Sequence, residues 1–146
     1  MVHALEEIHR LLRPDGYLID IHPVLGAPSI EVRRGAELLF AEAGPDYWVE
    51  DYRQADHALA QITQRHLFVV ERSGEFDFLT YGSSVSELRD FLTEASAYES
   101  RPKEEAPVGW DADLTARVEA ALQAAGEGAE VVYHERARIA RLKPVR

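Results

Sequence analysis

The chain has 146 residues, 46% of them hydrophobic and 29% charged, the balance of an ordinary folded domain. It has no cysteine, which excludes disulfides and thiol chemistry, and no run approaches the roughly 20 apolar residues of a membrane-spanning helix. A net charge of −10, from 26 acidic against 16 basic residues, repels phosphate backbones and argues against general nucleic-acid binding.

Residues 2–12 predict an amphipathic helix: Leu5, Ile8 and Leu12 recur at helical spacing, with Glu6, Glu7 and Arg10 pointing elsewhere. The acidic pair is unlike a secretory leader, so a cytoplasmic location is expected. Pro14 disfavours helical geometry at Arg13, and Asp15-Gly16 completes a turn. Residues 17–21 then read as a short, largely apolar strand of the kind buried on both faces of a parallel sheet. After a loop marked by Pro23, Gly26 and Pro28, residues 30–42 predict a hairpin with Arg34-Gly35 near its turn. Asp51 and Gln54 have the spacing of a capping box for a helix over 52–65, whose apolar face is Ala55, Ala58, Leu59 and Ile62.

Two β-rich runs, 67–72 and 75–81, flank Ser73-Gly74, a two-residue turn signal, and predict a second hairpin. Ser84 and Glu87 form another capping box, opening a helix that reaches 97 and carries a stripe of Val85, Leu88, Phe91, Leu92 and Ala95. Residues 99–109 read as a surface loop. Asp111 or Asp113 caps a further helix bearing Leu114, Val118, Ala121 and Leu122, with Gly126 as its stop. Residues 129–142 form the last strand. Its basic neighbourhood, Arg136, Arg138, Arg141, Lys143 and Arg146, reads as a solvated face and tail. The sum is an α+β fold: a mixed, largely antiparallel sheet of five or six strands with helices packed on it.

The run over residues 4–21, Ala-Leu-Glu-Glu-Ile-His-Arg-Leu-Leu-Arg-Pro-Asp-Gly-Tyr-Leu-Ile-Asp-Ile, resembles a segment found late in class I S-adenosylmethionine-dependent methyltransferases. There a helix ending in a Leu-(Arg/Lys)-Pro-Gly-Gly turn feeds the fifth strand of a seven-stranded sheet; here Asp15 replaces the first glycine. The resemblance is specific over 4–23 and architectural beyond. The last strand would join the antiparallel pair at that sheet's edge. The block Asp51-Tyr52-Arg53-Gln54-Ala55-Asp56 is similar to family members with an insertion after the fifth strand. The resemblance implies a single methyltransferase-like C-terminal domain over 1–146, partial α/β, with 24–98 an insertion of hairpin, helix, hairpin and helix.

The family's donor site needs a glycine-rich turn after its first strand and an acid at the end of its second. Neither has a counterpart here. Gly126-Glu127-Gly128 follows a helix and precedes a strand, the reverse context. No cofactor-binding residue is therefore assigned, and S-adenosylmethionine is expected only if an N-terminal half completes the site.

Asp20 and His22 lie two apart at a strand's end, so their side chains share a face where open α/β sheets bind ligands. His22 can take a proton while Asp20 sets its tautomer. With Tyr52 and Asp56 of the following helix they are the substrate-binding candidates; catalytic residues stay unassigned, and whether the chain is an enzyme stays open. The six histidines form no recognisable metal-ligand pair, and convergence of His22, His57 and His134 is not legible in sequence. Ser84 is explained by its cap. Phe40, Tyr47, Trp48, Tyr52 and Trp110 read as core rather than pocket.

The expected function is that of a methyltransferase-like domain without an independent donor site, in a binding or assembly role. One alternative is the C-terminal part of a methyltransferase active only with a separate donor-binding chain; another is a small α+β protein binding an apolar metabolite. The expected partner is a second copy. In the family the strand matching 17–21 also pairs with a fourth strand that this chain lacks, which would leave an apolar edge open. The internal remedy would be the 30–42 hairpin folding onto that vacant side.

Overall fold

The computed structural model describes residues 1–97 and 110–146, so the loop expected at 99–109 lies outside the described residues. The elements are α1 (Val2–Leu11), β1 (Leu18–Pro23), β2 (Ser29–Arg34), β3 (Glu37–Ala43), α2 (Val49–Gln64), β4 (Phe68–Gly82), α3 (Val85–Ala97), α4 (Ala112–Ala125) and β5 (Glu130–Pro144). The five strands share one sheet, hydrogen-bonded in the order β1-β5-β2-β3 with β4 also on β5. The β1–β5, β2–β3 and β2–β5 pairings are antiparallel, and the fold is α+β as expected. The chain divides into two compact units, through both of which β4 and β5 run.

The first unit comprises Met1–Leu25, Val49–Asp77 and Arg136–Arg146. Here β1 pairs with β5, Leu18 opposite Leu142 and His22 opposite Arg138. Strand β4 also pairs with β5. As β5 advances from Arg136 to Arg141, the ion-pair partner on β4 steps back from Glu75 to Glu71, so that pairing is antiparallel too. Ile62, Phe68, Ala140 and Leu142 form the core, against which Val2, Leu5, Ile8 and Leu12 lay the apolar stripe of the first helix. The carbonyls at the C-terminal end of α1 are orphans by geometry. Arg146 answers two of them, donating to His9 O and Leu12 O. Helix α2 ends with His66 in the left-handed region (φ 55°), while His66 N and Leu67 N donate to Thr63 O and Ile62 O. That closure turns Leu67 back onto the core.

The second unit comprises Gly26–Trp48 and Phe78–Glu135. Its hairpin β2–β3 turns at Gly35, whose φ of 58° suits a residue without a Cβ. Alternation along β2 and β5 sends Ile30, Val32, Val131 and Tyr133 into a core with Val85, Leu88, Leu92, Leu114 and Val118. Phe40, Tyr47, Trp48 and Trp110 belong to the same core, as their spacing suggested. Asp111 caps α4 by accepting from Leu114 N at 2.6 Å. At α3 the Ser84 hydroxyl accepts from Glu87 N, and the Glu87 carboxylate reaches back to Ser83 N.

Several expectations need correction. The predicted second hairpin is one 15-residue strand, β4. Gly74 does not take a positive φ, and the equally long β5 offers a ladder to both halves at once. The strand at 17–21 is neither parallel nor buried on both faces. It runs antiparallel to β5, with Ile19 and Ile21 exposed. The 30–42 hairpin pairs with β5 rather than with β1. Helix α2 starts at Val49, so Asp51 lies inside its first turn instead of capping it. Phe91 is exposed, because Val85, Leu88 and Leu92 already fill the buried stripe and Phe91 sits about a quarter-turn away.

Candidate functional site

The even residues of β1 face the core of the first unit, and that parity positions Asp20 and His22 together. His22 is buried, and its Nδ1 lies 2.7 Å from Asp20 Oδ2. Its Nε2 lies 3.2 Å from Asp56 Oδ1 on α2 and 3.2 Å from a guanidinium nitrogen of Arg138. Arg138 also donates to Asp56 Oδ1. Three of the four candidates, Asp20, His22 and Asp56, are thus brought into one network. Tyr52 sits one turn before Asp56 on α2, half-buried.

Arg138 is the member that sequence reasoning missed, having placed it among solvated basic residues. The available signal was pairing: it is directly opposite His22 across the ladder, where side chains on one face come within about 5 Å. Three others of the basic group are engaged as well. Arg136 pairs with Glu75, Arg141 with Glu71, and Arg146 with the end of α1.

The network satisfies His22 in either charge state. As imidazolium it donates from Nδ1 to Asp20 and from Nε2 to Asp56. As neutral imidazole with the proton on Nδ1, its Nε2 can accept from Arg138 instead. A proton can therefore be held or released at Nε2 without leaving a buried polar atom unpaired. The Asp20 carboxylate raises the affinity of His22 for its proton, burial lowers it, Asp56 adds to the rise and Arg138 opposes it; the outcome is a pKa above the ordinary 6.5.

A group whose folded pKa is raised stabilises the fold below its unfolded pKa and loses that contribution as pH rises through the folded value. Urea unfolding between about pH 5.5 and 9 should show stability falling across the upper part of that range, and His22→Gln should flatten that slope. An unchanged slope in the variant would remove His22 as its source.

Asp56 and Arg138 also line a cleft of about 290 Å³, together with Leu59, Ala60 and Thr63 of α2, Val70 and Ser73 of β4, and Ala140 and Leu142 of β5. Its lining is mostly apolar and includes one charged pair, the composition of a small-molecule site. Among the described residues no group of histidine and acidic side chains is arranged to hold a metal ion. In the second unit the buried Glu31 accepts from Ser29 Oγ, Arg33 Nε and His134 Nδ1. Ser29 and Arg33 lie on the same strand as Glu31, His134 joins it to β5, and none of them borders that cleft. No family model, curated protein or solved structure matches the chain.

Proposed function

We propose that the chain is a methyltransferase-like domain that works by binding and assembly and has no S-adenosylmethionine site of its own. The observation that carries this reading is the order β1-β5-β4, built by two antiparallel pairings. The strand that follows the Leu-Arg-Pro-Asp-Gly turn lies beside the last strand of the chain. Among the described residues its other side has no strand partner. That is the arrangement expected of the end of the family's sheet, with the open side where a fourth strand would pair. A homodimer through this edge is the assembly we favour. No described helix is long and apolar enough to cross a membrane, and the partners proposed are a second copy and small molecules.

Calorimetric titration with S-adenosylmethionine should give no binding heat, because the glycine turn and ribose-binding acid have no counterpart. Micromolar binding by the pure chain would overturn the reading. A neighbouring reading frame encoding a glycine-rich strand-turn-helix would favour the alternative of a methyltransferase completed by a separate donor-binding chain. The cleft supports a second reading, an apolar metabolite lying along Leu59, Val70, Ala140 and Leu142 with its polar end at Asp56 and Arg138.

A further inference from the structure

The proposal of assembly through β1 can be deepened to a register, and this inference rests on that reading. Val24 N donates to Arg136 O, in step with the β1–β5 ladder. In an antiparallel pair, residues that bond to the partner alternate with residues whose N–H and C=O point away. The even residues of β1 therefore bond to β5. The backbone groups of Ile19 and Ile21, and of Tyr17 just before the strand, point to the open edge. The same odd residues carry the exposed side chains: Tyr17, Ile19 and Ile21 are 44%, 52% and 59% exposed. No lysine stands among them, and the charge on the strand's inner face, Asp20, is paired to His22.

We infer that this edge pairs with the same edge of a second copy, antiparallel, with the two-fold axis at Ile19. In that register Ile19 faces its twin and Tyr17 faces Ile21, so every outward N–H and C=O of residues 17, 19 and 21 gains a partner. Apolar side chains meet apolar side chains on one face. A register centred on Asp20 sets two carboxylates directly opposite each other. A register centred on Ile21 sets Ile19 opposite Pro23, which has no N–H to give. The edge is self-complementary in one register, which is why a second copy is the occupant.

The absence of native cysteine makes the test clean. Directly opposite residues of a hydrogen-bonded antiparallel pair lie about 5.5 Å apart at Cα, within disulfide reach. Ile19→Cys should therefore cross-link as a dimer on mild oxidation or with a short bis-maleimide. Ile139→Cys, exposed on the neighbouring strand opposite Ile21, should not, since its twin would lie about 20 Å away, three strand spacings across and four residues along. Light scattering at micromolar concentration should give twice 16.4 kDa for the native chain. Ile19→Lys should give a monomer with an unchanged circular dichroism spectrum. A dimer in which the Ile19→Cys chain stays uncross-linked overturns the register and leaves the assembly reading standing. A native monomer of 16.4 kDa overturns both the pairing and the homodimer.

Discussion

Replacing Glu31 with alanine is expected to destabilise the protein by about 3–5 kcal/mol, the usual cost of removing one member of a buried ionic cluster. Glu31 is 4% exposed and its carboxylate accepts from the Ser29 hydroxyl, the Arg33 guanidinium and the His134 imidazole. Alanine would remove the shared acceptor of the part-buried Arg33 and His134 groups. Burial pushes the Glu31 pKa up, but Arg33, His134 and Ser29 together hold it below the ordinary carboxylate value of 4.5. A depressed carboxylate stabilises the fold above its unfolded pKa and loses that contribution as pH falls through the folded value. The native chain should therefore weaken below about pH 4.5, and part of that slope should vanish in Glu31→Ala. Urea midpoints measured from about pH 3 to 7 check both statements. A loss under 1 kcal/mol would mean the three donors find other acceptors.

Phe68→Ala is expected to cost about 3–5 kcal/mol as well, here through lost burial and a residual cavity. Phe68 is 2% exposed at the start of β4, in the core with Ile62, Ala140 and Leu142. The His9 ring stands edge-on to it at 5.2 Å between centroids. Small domains have about 5–15 kcal/mol in total, so the first unit would be left near its threshold. Glu31 and Phe68 belong to different units with separate cores. Hydrogen exchange should accordingly show α1 and α2 losing protection in Phe68→Ala before α4 does. Uniform loss across all helices would mean that the two cores unfold as one.

The candidate site was half legible. Asp20 and His22 are visible because a two-residue spacing in a strand fixes a shared face. Asp56 was reachable only through the resemblance, being 34 residues from His22 in the chain. Arg138 was hidden for a stronger reason. Its role depends on β5 lying opposite β1 in one register, and nothing local to either strand states that register.

What the sequence by itself determined are the features that a few adjacent residues decide. Asp111 caps its helix, Ser84 and Glu87 close theirs, Gly35 turns its hairpin, and Leu5, Ile8 and Leu12 form a stripe. Each draws its free energy from groups within one or two turns of chain. Tertiary structure decided strand pairing. Ser73-Gly74 has the chemistry of a tight turn, yet the ladder along 15-residue β5 holds the segment extended. It also made β1 an edge antiparallel to the last strand, exposing Ile19 and Ile21 while burying His22. A turn preference is worth little against a ladder that satisfies many backbone groups at once, and the partner offering that ladder lies some 60 residues further along the chain.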